Sequence, residues 1–137
     1  MATVPLLSDD ALAPEAAAVF DDIRATRGSD FVNNFWRALA HDPKRLAEVW
    51  GAVKETMQPG ALDPLTKELI YVAVSTANAC PYCIHSHTAS ARAKGMTDAM
   101  HAELLAVIGL AARTNHLVTA LQVPVDPAFD AEADPAE

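Results

Sequence analysis

Several features that would assign this chain to a familiar functional class are scarce or absent from its sequence. The 137 residues include 10 Lys and Arg against 18 Asp and Glu, for a formal net charge of −8, and the basic residues form no cluster. Such a surface repels phosphate groups, which argues against a nucleic-acid or anionic-membrane partner. We therefore expect the partner to be a small molecule or another protein.

Signals for export and for membrane insertion are also missing. The N-terminal segment has no basic stretch and carries Asp9, Asp10 and Glu15, unlike a secretory signal. The longest apolar run, residues 104–112, is about half the length of a membrane-spanning helix. We expect no membrane association and a cytoplasmic location, where a cysteine pair is more often redox-active or metal-binding than a structural disulfide.

Strand-like alternation is absent, whereas helix signals recur, so we predict an all-α, compact domain of about six helices. We expect residues 1–123 to form one domain and residues 124–137 to form an acidic, Pro-containing tail. Start and stop signals such as Asp-Pro pairs and glycines place the helices at residues 14–28, 31–40, 43–57, 64–78, 81–94 and from Thr97 or Asp98 onward.

The only two cysteines lie in the segment Cys80-Pro81-Tyr82-Cys83-Ile84-His85-Ser86-His87. Spacings of three and four residues bring side chains to one face of a helix. Cys80, Cys83 and His87 therefore converge, while His85 points away. The pattern predicts a three-group chemical site at the N-terminus of a helix that begins near Pro81.

Chemistry at such a site requires a thiolate, since the protonated thiol is a poor nucleophile. Two features of the sequence favour the thiolate. The N-terminus of a helix attracts negative charge, and His87 lies one turn beyond Cys83, where it can exchange a proton with the sulfur.

Glu68 is a third candidate, because it lies in an almost continuously apolar helix. The positions that could pair with it along that helix are Pro64, Leu65, Tyr71 and Val72, none of them basic. A carboxyl group in an apolar environment tends to have a raised pKa and can carry protons. We therefore predict a raised pKa and a functional role for Glu68, with a solvent-facing carboxylate as the alternative.

The residues alone leave three interpretations of the cysteine pair open: a redox pair, half of a metal site, or two buried apolar side chains. A zinc site needs four ligands, yet His85 faces away from Cys83 and no second cysteine pair follows, so we expect no metal. Tyr82 is either a packing residue or a hydrogen-bond donor over the site.

Glu68, eleven intervening residues, Cys80-Pro81-Tyr82-Cys83, three more residues and His87 together resemble the core motif of the AhpD-like branch of the carboxymuconolactone decarboxylase family. The resemblance covers residues 60–112. It implies an all-helical domain that assembles as a homo-oligomer, a trimer or a hexamer, and that reduces hydroperoxides or disulfides.

The resemblance also implies roles for individual residues. Cys83 corresponds to the peroxide-attacking cysteine, Cys80 to the proton donor and resolving thiol, and Glu68 and His87 to members of a proton relay. The family enzyme has a further histidine where this chain has Tyr82, and His85 would compensate only if the local fold turned it inward.

No bound cofactor is required by this scheme, and the reductant is an unidentified thiol or a lipoyl-bearing protein. Two rival functions stay open. One is a decarboxylase-like enzyme of the same fold that does not use its cysteines. The other is a redox-sensing or metal-binding interaction protein whose thiols alter its assembly without turnover.

Overall fold

The structure, a computed structural model, describes residues 1–129, and these residues form six α-helices and no β-strand. Two 3-10 turns, Asp9–Ala11 and Pro127–Phe129, lie outside the helices. The all-α prediction is confirmed, whereas part of the predicted tail, residues 130–137, lies outside the described residues. The helices are Pro14–Arg27 (α1), Asn34–Leu39 (α2), Pro43–Met57 (α3), Pro64–Ala77 (α4), Pro81–Ala93 (α5) and Asp98–Leu121 (α6).

The start signals of three helices act as the sequence suggests. The side chains of Asp42, Asp63 and Thr97 each accept the backbone N–H three residues ahead, at 3.0, 3.0 and 3.1 Å. Each bond satisfies one of the N–H groups that a helix leaves without a partner at its first turn. Between the Thr97 and Asp98 alternatives, the cap is Thr97.

The second helix is shorter than the predicted segment 31–40, because it begins only at Asn34. Asn33 has an extended backbone, with φ −72° and ψ 159°, and Phe31 is 70% exposed. Val32 is buried at 2% exposure. The apolar residues at the start of the predicted segment therefore precede the helix, in a non-helical stretch that buries Val32.

Contacts divide the chain into two compact units, and the first, Met1–Pro59, holds α1, α2 and α3. Its core contains Phe20, Ile23 and Leu46, which are fully buried. Trp36 and Trp50 pack edge to face with ring centroids 5.6 Å apart. Most of the large buried side chains of the described chain lie in this unit, which contains none of the predicted site residues.

The second unit begins at Gly60 and holds α4, α5 and α6. Helix α4 packs chiefly against α5 and less extensively against α6. Its buried side chains include Val72, Ala91 and Met96, together with the polar residues Glu68 and Ser75. The unit therefore encloses a carboxyl group between two helices. The domain limits at residues 123 and 124 stay predictions.

Helix α6 is apolar but has no buried residue. By length and composition it is the one helix among residues 1–129 that could cross a membrane. The unbroken apolar run 104–112 understates this property, because a further apolar segment, residues 117–121, follows the polar residues 113–116. Helix α6 therefore presents an exposed apolar surface.

Candidate active site

A tight corner between α4 and α5 places the first cysteine. The N–H of Cys80 donates to the carbonyl of Ser75 at 3.0 Å, and the N–H of Ala79 donates to that of Thr76 at 3.1 Å. This pair of bonds is the Schellman arrangement, which requires a left-handed residue. Ala79 supplies it with φ 52°, at a cost of roughly 1 kcal/mol for a residue with a Cβ. The corner delivers Cys80 directly to the start of α5.

The two cysteines form a disulfide at the N-terminus of α5, with their Cα atoms 5.4 Å apart. Cys80 is the N-cap residue, and its Sγ accepts the backbone N–H of Cys83 at 3.3 Å. Pro81 occupies the first helical position, where a missing N–H costs nothing. The prediction that the motif opens a helix is thus confirmed, and both sulfur atoms lie where the helix dipole favours negative charge.

His87 and Glu68 form a hydrogen-bonded pair between α5 and α4. Nδ1 of His87 lies 2.7 Å from Oε2 of Glu68, and the carboxylate side chain is only 5% exposed. A carboxylate on Nδ1 selects the tautomer with hydrogen on that nitrogen, which leaves Nε2 as the basic nitrogen. His87 therefore lies one helical turn beyond Cys83, with Nε2 able to take up or release a proton.

The other oxygen of Glu68 is held by Ser90 and Lys94. Ser90 Oγ donates to Oε1 at 2.7 Å, and Lys94 Nζ lies 2.9 Å from Oε1 and 2.7 Å from Ser90 Oγ. The three atoms form a closed triangle. Sequence reasoning missed Ser90 and Lys94, because it looked for partners only along α4.

A signal for these two residues is nevertheless present in the sequence. The side chains that share one face of α5 follow spacings of four, three and four residues, which is the pattern of a single helix face. Extending the motif past the histidine by the same rule would have reached both missed residues. The face comprises Cys83, His87, Ser90 and Lys94.

The predicted raised pKa of Glu68 is wrong. Burial does raise this pKa, but the hydrogen bonds from His87, Ser90 and Lys94 and the charge of Lys94 outweigh burial and lower the pKa to about 2. The apolar sequence around Glu68 concealed partners supplied by the neighbouring helix. At neutral pH, Glu68 is a fixed anion and not a reservoir of protons.

One aromatic side chain contacts this pair, whereas two predicted supporting residues are exposed. The ring of Tyr71 stacks on that of His87, with centroids 3.5 Å apart and planes 17° from parallel. His85 is exposed, as its spacing predicts, and Tyr82 is 44% exposed. Tyr71 was not among the predicted site residues, and its ring packs against one face of the His87 ring.

Within residues 1–129, no group of three or more His, Cys, Asp or Glu side chains is arranged to hold a metal ion. The site therefore consists of a disulfide at a helix N-terminus and, one turn along the helix, a histidine oriented by an ionised carboxylate. Such a site is suited to thiol and proton chemistry.

Comparison with a solved structure defines the class to which this fold belongs. A crystal structure of the alkylhydroperoxidase AhpD core from Rhodospirillum rubrum matches with a TM-score of 0.91 and 69% sequence identity. The match covers 94% of this chain and 97% of that one. The fold is therefore AhpD-like, and the cysteine pair lies within it.

Residues 43–126 match the sequence profile of the carboxymuconolactone decarboxylase family. The chain belongs to this family, and the resemblance carried by Glu68, the cysteine pair and His87 is confirmed.

Two curated proteins match over shorter stretches. An uncharacterised protein of the cox locus of Paracoccus denitrificans is 47% identical over 45 residues, which cover 33% of this chain and 40% of that protein. An alkyl hydroperoxide reductase of Mycobacterium tuberculosis is 33% identical over 60 residues, which cover 44% of this chain and 17% of that protein. The chain thus spans less than half the length of each of these relatives.

Proposed function

We propose that this protein is a thiol-dependent peroxidase that reduces hydroperoxides through the Cys80 and Cys83 pair. The observation that carries the proposal is the joined cysteine pair at the N-terminus of α5, one turn before a carboxylate-oriented histidine. The likeness to the alkylhydroperoxidase AhpD core supports the same chemistry. The reaction needs no bound cofactor and suits a reducing compartment such as the cytoplasm, where thiol reductants are abundant.

The reaction proceeds in three balanced steps. The Cys83 thiolate attacks the terminal peroxide oxygen, the O–O bond breaks, and the departing alkoxide takes a proton to become an alcohol, leaving Cys83 as a sulfenic acid. The Cys80 sulfur then displaces water from that sulfenic acid and forms the disulfide. A dithiol, either a small thiol pair or a lipoyl-bearing protein, returns two electrons and two protons and restores both thiols.

Glu68 and His87 serve this reaction as an orienting pair. His87 carries the proton on Nε2, one turn from Cys83, and Glu68 stabilises the positive charge that the ring acquires. Because Glu68 is already ionised at neutral pH, it assists by position and charge. Tyr82 and His85 are exposed, and we assign them only supporting roles at the entrance to the site.

The test is the reaction of fully reduced protein with cumene hydroperoxide under anaerobic conditions, followed by intact mass spectrometry. We expect one equivalent of peroxide to be consumed faster than free cysteine consumes it, and the mass to fall by about 2 Da as the disulfide forms. Dithiothreitol or dihydrolipoamide should then restore turnover. A rate no better than that of free cysteine would contradict the proposal.

The two rival functions give different results in the same experiment. The family description includes a decarboxylase. A decarboxylase-like enzyme that does not use its cysteines would consume peroxide no faster than a free thiol does. A redox sensor would form the disulfide and change its assembly but would not turn over when the reductant is supplied. Metal content measured in protein purified without chelators separates the metal-binding alternative.

We also propose that the chain assembles as a homo-oligomer, a trimer or hexamer, through the exposed face of α6. Six large apolar side chains of this helix are half exposed or more, and a patch of this extent is typical of an interface. They are Leu105, Val107, Leu110, Leu117, Val118 and Leu121.

Sedimentation velocity at micromolar concentration tests this assembly. We expect a trimer or hexamer in buffer without detergent, and a shift to smaller species when Leu110 and Leu117 are both replaced by glutamate, because a charge is costly to bury at an interface. A monomer that sediments with phosphatidylcholine vesicles would instead indicate that α6 enters a lipid bilayer.

A further inference from the structure

We infer that Lys94 is a positioning residue of the site, which holds Glu68 as an anion and thereby keeps Nδ1 of His87 engaged and Nε2 available for proton exchange. This inference rests on the proposed peroxidase function and goes beyond it, since neither the motif nor the disulfide involves Lys94. Its basis is that one oxygen of the buried Glu68 carboxylate bonds to His87, while the other bonds to Ser90 and Lys94.

The two oxygens of Glu68 have separate partners. Oε2 meets Nδ1 of His87 at 2.7 Å, whereas Oε1 meets Nζ of Lys94 at 2.9 Å. A carboxylate with 5% exposure has little water to stabilise its charge, so it needs protein donors and an opposite charge. Lys94 is the ammonium partner of this carboxylate, whereas His87 exchanges a proton in the proposed reaction.

The end of α5 fixes the backbone position of Lys94. Lys94 is the C-cap residue of α5, and Gly95 follows with φ 100°. The N–H of Met96 donates to the carbonyl of Ala91 at 3.0 Å, closing a second Schellman motif over two buried apolar side chains. The Lys94 side chain therefore starts from a backbone position fixed by the helix end. Its Nζ also donates to Ser90 Oγ at 2.7 Å.

Among the charged side chains of the helices that pack against Glu68, Lys94 is the cation that pairs with its carboxylate. On α5, the titratable groups that bond to Glu68 are His87 and, at the cap, Lys94. Within residues 1–129, no charged side chain of α6 hydrogen-bonds or ion-pairs with Glu68, and Asp98 at its start pairs with Arg92 at 2.8 Å. Together with the hydrogen bonds from His87 and Ser90, Lys94 holds the pKa of Glu68 at about 2 against the effect of burial.

The experiment compares Lys94→Met, which removes the charge at similar length, with Lys94→Arg, which keeps it. Protein labelled with ¹³C at the glutamate carboxyl carbon is titrated by NMR, and the Glu68 signal is identified by its loss in Glu68→Gln. We expect Lys94→Met to raise the Glu68 titration midpoint by about one to three pH units, and Lys94→Arg to keep it near the wild-type value. Lys44→Met, at an exposed position outside the site, is the matched control.

A second measurement follows the reaction of the reduced proteins with cumene hydroperoxide at pH 5 and pH 8. We expect Lys94→Met to lower the ratio of the rate at pH 5 to the rate at pH 8 by up to about twofold, the full effect being reached when the Glu68 midpoint rises to about 5, because the protonated part of Glu68 no longer orients His87. Lys94→Arg should restore the ratio, which loss of packing alone would not explain. Lys94→Gln provides the same comparison if Lys94→Met does not fold.

The two readouts separate the two proposals. A Glu68 midpoint that does not move in Lys94→Met, or that moves equally in Lys94→Arg, overturns the role of Lys94 whether or not peroxide is consumed. A midpoint that moves as expected in a protein without peroxidase activity upholds the Lys94 contact and overturns only the proposed function.

Discussion

Replacing Cys83 by serine is expected to lower the rate of hydroperoxide reduction by on the order of a thousandfold or more, because a serine hydroxyl is not ionised at neutral pH and does not attack a peroxide oxygen. Cys83 lies in the first turn of α5, and His87 lies one turn further along the same face of this helix. The remaining thiol, Cys80, has no histidine one turn beyond it. Anaerobic stopped-flow mixing with cumene hydroperoxide measures the loss.

The matched variant is Cys80→Ser, which has the same change at the other end of the disulfide. Without reductant we expect it to consume one equivalent of peroxide, as wild-type protein does, but to end as the Cys83 sulfenic acid, because no resolving thiol remains. Intact mass should rise by about 16 Da in this variant. Wild-type protein should instead lose about 2 Da as the disulfide closes.

Comparison of the two variants shows which cysteine attacks the peroxide and which one resolves the sulfenic acid. If Cys80→Ser loses the first equivalent while Cys83→Ser retains it, the roles of the two cysteines are reversed. If both variants retain turnover, the cysteines are not the reacting groups, and a decarboxylase-like activity becomes the better interpretation. Circular dichroism of the reduced proteins establishes that each variant is folded.

Glu68 is expected to make the second unit acid-sensitive in a defined pH window. Its pKa is lowered from 4.5 to about 2 in the folded protein, so folding favours the ionised form. The resulting stabilisation is complete above about pH 4.5 and is lost as the pH falls through 2, and its size is about 3 kcal/mol. Below pH 2 the group is protonated in both states and contributes nothing.

The measurement is the difference in unfolding free energy between wild-type protein and Glu68→Gln, by urea unfolding at pH 7, 4.5, 3 and 2 and at one protein concentration. Glutamine resembles the protonated carboxyl group in shape, so we expect a gap of about 3 kcal/mol at pH 7 that closes toward pH 2. The comparison is needed because other carboxyl groups also have lowered pKa values, each accepting a side-chain hydrogen bond. These are Asp9, Asp10, Asp22, Asp63 and Asp98.

Two results would count against this account of Glu68. A gap that stays constant from pH 7 to pH 2 would mean that the substitution acts through packing and not through charge. A Glu68→Gln variant that is more stable than wild-type protein at pH 7, by a margin that vanishes on acidification, would mean that burial dominates and that the pKa is raised, as the sequence alone suggests. Glu103→Gln, which changes an exposed carboxylate of α6, should show no such dependence.

Local signals in the sequence were sufficient for most helix limits. Proline at the first helical position, an Asp or Thr cap and a glycine in the left-handed region act over only a few residues. They predict α1, α3 and α5 to within a residue of the observed ends. The start of α2 was misplaced, because the burial of Val32 in an extended segment depends on what packs around it.

The sequence by itself determined the helical class, the resemblance to the family and the position of the cysteine motif at the start of a helix, because each depends on signals that act over short stretches of the chain. The tertiary structure alone decided the state of Glu68. Its partners lie 19 to 26 residues away on the next helix and its cap, and only the packing of α4 against α5 brings them to it. Burial and pairing shift a carboxyl pKa in opposite directions, so the sign of the shift could be known only once both were seen together.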